Sequence, residues 1–110
     1  MAPEIDLQAF AAAHADGAFV LDVREPDEYV AGHVRGAAPV PLAHLHRRLG
    51  VLPKGEPVYV ICASGNRSRA AASLLRAAGF DAISVAGGTV GWMSRGRPVV
   101  RGPRADDSAA

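Results

Sequence analysis

The stretch that decides the fold of this chain is Pro57-Val58-Tyr59-Val60-Ile61-Cys62-Ala63-Ser64-Gly65-Asn66-Arg67-Ser68. Its first part is rich in β-branched residues and predicts a buried strand over residues 58–61. A polar loop with a glycine follows, and residues 68–78 predict a helix. A strand that passes through a tight loop into a helix directs backbone N–H groups, and the positive end of the helix dipole, at the first loop residue. That residue is Cys62, so the pattern predicts a site for a thiolate and an anion.

Cys62 is the only cysteine of the chain. The competing interpretation is a structural cysteine at a strand end, since free cysteine is among the most buried residue types. The polar neighbours favour a functional role, and Gly65 and Asn66 tolerate the positive φ that a loop curled around its first side chain requires. Without a second cysteine the chain forms no internal disulfide, so whatever group Cys62 takes up must leave to another molecule.

Length and composition describe one ordinary globular domain. The chain has 110 residues, of which 49% are hydrophobic and 21% charged, with a net charge of +1. This balance gives no reason to expect nucleic acid or a membrane as partner, and the N-terminus lacks the basic start of a signal peptide, so we expect a cytoplasmic protein. His44 and His46 are two residues apart and no cluster has metal-ligand spacing, so we expect no metal and no cofactor.

The rest of the chain alternates between helix and strand signals. We predict helices at 5–15, 26–31, 43–49 and 90–94, and strands at 18–23, 37–40 and 82–85. Pro39 places the strand at 37–40 at a sheet edge. This alternation predicts an α/β fold with a parallel sheet and helices on both faces. We expect one domain over residues 1–100 and a mobile tail, residues 101–110, that has nothing to bury.

Ligands of parallel sheets bind beyond the carboxyl ends of the strands. Three loops should meet at that edge: the loop after Asp22, the loop at Cys62, and the turn at Gly87-Gly88. This arrangement brings Arg24, Arg67 and Trp92 toward Cys62. A charged pair near a buried strand end, such as Asp22 and Arg24, is more often structural than substrate-binding. Arg24 is also a candidate anion contact. Trp92 is interpreted as a packing residue.

Two further polar residues have predicted roles in the structure. Glu28 should lie in a helix and pair with an arginine, and His33 should bond the backbone around its turn.

Four stretches resemble, in order and in spacing, the signatures of the rhodanese family of single-domain sulfurtransferases: Leu21-Asp22-Val23-Arg24-Glu25-Pro26-Asp27-Glu28-Tyr29, Gly32-His33-Val34-Arg35-Gly36-Ala37, Cys62-Ala63-Ser64-Gly65-Asn66-Arg67-Ser68 and Gly87-Gly88-Thr89-Val90-Gly91-Trp92. The resemblance implies a three-layer rhodanese-like fold with a five-stranded parallel sheet. It also implies a loop from Cys62 to Arg67 whose amides hold a cysteine persulfide. In that family the cysteine takes sulfur from thiosulfate or a persulfide donor, and passes it to cyanide, a low-molecular-weight thiol or a protein thiol.

The expected site therefore has Cys62 as its catalytic residue. The expected substrate contacts, through loop amides and charge, are Ala63, Ser64, Gly65, Asn66, Arg67, Ser68 and Arg24. Independently of the family, the helix dipole, the loop amides and Arg67 should lower the pKa of the Cys62 thiol.

Two alternatives from other functional classes stay open. A phosphatase or arsenate reductase of related fold has five residues between cysteine and arginine, whereas four separate Cys62 from Arg67 here and Ser68 occupies the arginine position. A non-catalytic rhodanese-like interaction module normally lacks the cysteine. The sequence departs from thiosulfate-using relatives at Ala63, where they often carry a basic residue, so the sulfur donor stays open.

Overall fold

A computed structural model of the chain describes residues 2–106 and confirms the α/β fold. The strands are β1 (Glu4–Ile5), β2 (Phe19–Asp22), β3 (Ala38–Pro39), β4 (Pro57–Ile61) and β5 (Asp81–Val85). The α-helices are α1 (Leu7–Ala15), α2 (Pro26–Ala31), α3 (Asn66–Ala77) and α4 (Gly88–Ser94), and two 3₁₀ helices cover Leu42–Arg47 and Leu49–Val51. No helix in residues 2–106 is long and apolar enough to cross a membrane.

The five strands form one parallel sheet in the order β1-β5-β4-β2-β3. The strand β4 is central, and Val60 lies between Leu21 of β2 and Ser84 of β5. The strand β3 lies at one edge of the sheet. It has no strand on its outer side, so the missing N–H of Pro39 costs no hydrogen bond there. The predicted sheet and its edge strand are therefore confirmed.

Alternate residues of β4 supply two separate cores, one on each face of the sheet. Val58 and Val60 pack with α3 and the first 3₁₀ helix, whereas Tyr59 and Ile61 pack with α1, α2 and α4. Side chains of a strand alternate between the two faces, so an uninterrupted apolar run is required where both faces are covered. The result is the predicted three-layer arrangement.

The first helix and the segment at 43–49 differ from the sequence-based expectation. The helix α1 begins at Leu7, because the Asp6 carboxylate accepts a hydrogen bond from Ala9 N–H at 2.8 Å and thereby caps the helix. The segment predicted as an α-helix at 43–49 is 3₁₀, with Arg48 N–H bonded to the carbonyl of Leu45 at 3.0 Å. A stretch this short favours the tighter three-residue turn.

The segment after Val100 differs from the prediction of a tail with nothing to bury. Gly102 N–H donates to the carbonyl of Val30 at 3.0 Å, and Gly36 N–H donates to the carbonyl of Ala105 at 2.7 Å. These bonds supply partners for backbone groups in the last turn of α2 and in the α2–β3 connection. Residues 107–110, the rest of the predicted mobile tail, lie outside the described residues.

His33 is the fully buried centre of this contact. Its Nδ1 lies 2.8 Å from the carbonyl oxygen of Tyr29, and its Nε2 lies 3.0 Å from that of Arg104. The prediction that His33 bonds the backbone around its turn is confirmed. Its ring also contacts the backbone of the C-terminal segment.

Candidate active site

The loop at Cys62 is shorter than predicted, because α3 begins at Asn66 and not at Ser68. Its turn depends on Gly65, which caps the helix with a φ of 113°. Of the two residues that tolerate a positive φ, Gly65 adopts one and Asn66 does not: in residues 2–106 only glycines have a positive φ. A left-handed conformation costs residues with a Cβ atom, so Gly65 alone makes the turn. Asn66 and Arg67 consequently belong to the first turn of the helix.

Cys62 lies at the centre of this turn and is 1% exposed. Gly65 N–H donates a hydrogen bond to Sγ at 3.1 Å, and the Ser68 hydroxyl oxygen lies 3.4 Å from Sγ. Burial alone raises the pKa of the Cys62 thiol, but hydrogen bonds from the Ser68 hydroxyl and from the backbone N–H groups of Ser68, Gly65 and Ser64 outweigh it and lower the pKa. The predicted direction is therefore confirmed for the loop amides.

The guanidinium of Arg67 is bound to a carboxylate and is not a free anion ligand beside the sulfur. Its two terminal nitrogens bind the two carboxylate oxygens of Glu28, at 2.7 and 2.9 Å. The same carboxylate accepts from Glu25 N–H at 3.0 Å and so caps α2. Arg67 thus braces the start of α3 against α2, and the predicted pairing of Glu28 with an arginine is confirmed.

Removing the charge of Glu28 should cost stability only where the carboxylate is ionised. The Arg67 hydrogen bonds lower the pKa of Glu28 from 4.5 to about 2. The ionised pair therefore stabilises the fold above pH 4.5, and its contribution is lost as the pH falls toward 2. Because the two side chains are 31% and 37% exposed, water screens the pair, and we expect Glu28→Gln to cost about 1 kcal/mol at neutral pH.

Urea unfolding of the wild type and of Glu28→Gln across this pH range checks that expectation. The difference in unfolding free energy should be greatest at neutral pH and should fade in acid. A difference that stays constant with pH would assign the loss to the α2 cap and not to the charge of Glu28.

Arg24 forms a buried pair with Asp22 at the end of β2. The two side chains are 7% and 0% exposed, with Nη2 of Arg24 2.8 Å from Oδ2 of Asp22 and 2.8 Å from the carbonyl of Gly32. A buried charge pair of this kind needs its remaining hydrogen-bond donors satisfied, and the carbonyl of Gly32 accepts from Nη2 of Arg24. These contacts favour a structural role for both residues, and the predicted anion contact of Arg24 stays a prediction.

The turn at Gly87-Gly88 holds the Cys62 loop from the opposite side. Thr89 N–H donates to the carbonyl of Cys62 at 2.8 Å, and Val90 N–H donates to the carbonyl of Ala63 at 3.0 Å. A Cβ atom on Gly88 would lie 2.5 Å from each of these carbonyl oxygens. The first turn of α4 therefore docks backbone to backbone on the loop. Sequence reasoning located this turn at the site but missed the docking, for which the glycine pair was the only signal.

The remaining predicted site residues form the open side of the loop. Ala63 and Arg67 are partly exposed and Ser64 and Asn66 are exposed, while Gly65 and Ser68 are buried. Trp92 is 4% exposed and its indole N–H bonds the carbonyl of Pro98 at 2.8 Å, which confirms its packing role. Within residues 2–106 no three His, Cys, Asp or Glu side chains are grouped as around a metal ion.

These contacts assemble a buried sulfur with a lowered thiol pKa beneath a loop whose N–H groups face it. Such a group can act as a nucleophile and can hold a negative charge that grows on a second sulfur or an oxygen next to it.

Comparisons with known proteins agree with this geometry. A family model described as a rhodanese-like domain matches residues 6–95. The chain is 36% identical over 96 residues to the Bacillus subtilis protein named "Putative sulfur carrier protein YrkF", covering 84% of this chain and 52% of that protein. It is 32% identical to an Allochromatium vinosum protein named sulfurtransferase, covering 91% of this chain and 96% of the relative.

A solved structure gives the same result. The crystal structure of a rhodanese-related protein from Thermoplasma volcanium superposes with a TM-score of 0.84 at 34% identity, covering 89% of this chain and 97% of that one. The chain spans about half the length of the first curated relatives that it matches. The match over residues 6–95 nevertheless covers most of this chain. By its sheet, its cysteine loop and this match, the chain belongs to the rhodanese-like domain family.

Proposed function

We propose that this protein is a sulfurtransferase that carries sulfane sulfur as a persulfide on Cys62. The observation that carries the proposal is the buried Cys62 sulfur with Gly65 N–H at 3.1 Å and the Ser68 hydroxyl at 3.4 Å. Donors that lower the thiol pKa increase the thiolate, which is the reactive form. The relative named sulfurtransferase, matched over nearly its whole length, supports the same activity.

The reaction has two displacements at sulfur. The Cys62 thiolate attacks the outer sulfur of thiosulfate, the sulfur–sulfur bond of the donor breaks, and sulfite leaves with the bonding electron pair. The acceptor, which is cyanide, a low-molecular-weight thiol or a protein thiol, then attacks the outer sulfur of the persulfide and Cys62 leaves as thiolate. A persulfide donor serves the first step in the same way, with a thiolate as the leaving group. The loop N–H groups would stabilise the charge on sulfur in both steps.

Phosphate chemistry fits this loop less well. The four residues between Cys62 and Arg67 form a smaller ring than the phosphatase loop described above, and Arg67 is bound to Glu28 through both terminal nitrogens. Ser68 stands at the position of the phosphatase arginine, and its hydroxyl oxygen lies 3.4 Å from the Cys62 sulfur. A purely binding module is less favoured because Cys62 is present and its thiol pKa is lowered.

Intact mass spectrometry tests the proposal directly. The reduced protein is incubated with thiosulfate or with glutathione persulfide, desalted and weighed, and then treated with cyanide. We expect the mass to rise by one sulfur atom and then to return, with thiocyanate released. No mass gain from either donor would contradict the proposal, and turnover of an aryl phosphate would favour the phosphatase alternative.

Placing a positive charge at residue 63 should improve the use of thiosulfate. Ala63 is partly exposed beside Cys62. A guanidinium about 6 Å from two negative charges gains about 2 to 3 kcal/mol at an effective dielectric near 40, and about 1 kcal/mol after screening and side-chain ordering. We expect Ala63→Arg to lower the KM for thiosulfate roughly fivefold at low salt. The kcat should change little, since ground and transition states carry the same charge.

The matched control is Ala63→Gln, which adds a shorter, polar side chain without the charge. Its KM should stay near that of the wild type, and the benefit of Ala63→Arg should shrink as ionic strength rises. Equal KM values for all three proteins would mean that residue 63 faces away from the donor. A lower KM in Ala63→Arg would imply that the natural protein binds thiosulfate weakly and is better suited to a less charged or protein-bound persulfide donor.

A further inference from the structure

A second serine lies behind the active-site loop, in the interior of the sheet. Ser84 is the penultimate residue of β5 and is fully buried, and its hydroxyl oxygen lies 2.8 Å from that of Ser68. Ser68 is fully buried as well, and its hydroxyl reaches the Cys62 sulfur at 3.4 Å and the carbonyl of Gly65 at 3.1 Å. Three side chains thus form a continuous hydrogen-bonded path from the sheet to the thiol.

The number of hydrogens on this path decides which way each bond points. The Ser68 hydroxyl has one hydrogen and accepts through two lone pairs, and the carbonyl of Gly65 can only accept. While Cys62 is a thiol, its S–H can donate to Ser68, and the hydrogen of Ser68 can go to Gly65. Once Cys62 is a thiolate, the sulfur can only accept, so the hydrogen of Ser68 has to turn toward it.

The hydrogen of Ser68 can point at the sulfur only if Ser84 is the donor in the hydrogen bond between the two serines. Were Ser68 to donate to Ser84, its single hydrogen would be used there and neither the thiolate nor the carbonyl of Gly65 would receive it. With Ser84 donating, Ser68 keeps its hydrogen free for the sulfur, and each hydroxyl on the path polarises the next.

We propose that Ser84 is a positioning residue for Cys62: by donating a hydrogen bond to Ser68 it leaves the hydrogen of Ser68 free for the sulfur, polarises that hydroxyl and so stabilises the thiolate. Its consequence for sulfur transfer rests on the proposed function, whereas its effect on the thiol does not. The residue itself never touches the substrate.

The charged groups around the thiol are separate from this path. Arg67 interacts electrostatically with Cys62 and with Asp22, and is itself bound to Glu28, while Asp22 is bound to Arg24. None of them bonds to Ser84 or Ser68 in the described chain. Substitutions at Ser84 therefore change the hydroxyl path and leave the surrounding charges in place.

The test measures the pKa of Cys62 from the pH dependence of alkylation by iodoacetamide, in the full chain. Ser84→Ala should raise that pKa by about half a pH unit, which lowers the alkylation rate roughly threefold at a pH below it. Ser84→Thr keeps the hydroxyl and should restore the value of the wild type. A merely structural role would change the unfolding midpoint without moving the thiol pKa.

A double-mutant cycle with Ser68→Ala shows whether Ser84 acts through Ser68. In the Ser68→Ala background, Ser84→Ala should leave the pKa of Cys62 unchanged. The inference is overturned if Ser84→Ala leaves the pKa unchanged in the wild-type background, or shifts it equally in both. If the shifts appear as expected but the wild type takes up no sulfur, the role of Ser84 stands and the proposed function fails.

Discussion

Replacing Cys62 with serine should reduce sulfur uptake and thiocyanate release to the level of the reaction without protein. The serine hydroxyl keeps the size and the hydrogen-bonding neighbours of the thiol, with Gly65 N–H and Ser68 still in reach. It does not ionise near neutral pH, and the chain has no other cysteine to take over. The measurements are the intact mass after thiosulfate and the colorimetric yield of thiocyanate after cyanide.

The control for this variant moves the cysteine instead of deleting it. Ser73 is exposed on α3, so Ser73→Cys in the Cys62→Ser background retains one cysteine per chain but removes the loop from around it. We expect this protein to take up sulfur no faster than a free thiol. Thiocyanate formation by Cys62→Ser, or equal uptake by the relocated cysteine, would show that the loop is not what makes Cys62 reactive.

The elements that sequence reasoning predicted are those fixed by local pattern. The apolar run of β4 indicated coverage on both faces, and Pro39 indicated an edge strand, because each follows from a rule that involves only neighbouring residues. The position of Cys62 could also be predicted from neighbouring residues alone, since a strand, a glycine and a helix in direct succession bring the backbone amides to the first loop residue. None of these features required information about contacts between distant parts of the chain.

The features that sequence reasoning missed depend on contacts between distant residues. Ser84 lies 16 positions from Ser68, and their contact needs the register that pairs β4 with β5. The Arg67–Glu28 pair joins residues 39 apart, so the sequence predicted an arginine partner for Glu28 without choosing which. The contact of His33 with the C-terminal segment is longer still, and a polar segment after the last helix carries no local signal for docking.

A methyl group at Gly88 should disrupt the active-site loop strongly, because the shortest contacts that an added Cβ atom would make at any described glycine are found there. The Cβ atom of Gly88→Ala would lie 2.5 Å from the carbonyl oxygens of Cys62 and Ala63 and 2.6 Å from the carbonyl carbon of Ala63. These are backbone atoms of a loop under a helix, so the start of α4 has to move away. The hydrogen bonds from Thr89 and Val90 to that loop, at 2.8 and 3.0 Å, then break or lengthen. The φ of 58° adds a further penalty for a residue with a Cβ atom.

We therefore expect Gly88→Ala to destabilise the protein by about 3 to 4 kcal/mol, of which about 1 to 2 kcal/mol comes from φ and about 1 kcal/mol from each weakened hydrogen bond. Gly96→Ala separates the two causes, because Gly96 has a similar φ of 73° and no atom within 4 Å of the added Cβ. It should show the φ penalty alone and normal sulfur uptake. Urea unfolding gives the two energies, and iodoacetamide alkylation shows whether the pKa of Cys62 has risen. Equal effects of the two substitutions on stability and on the thiol would mean that α4 does not hold the loop, and that the reactivity of Cys62 comes from α3 and its cap alone.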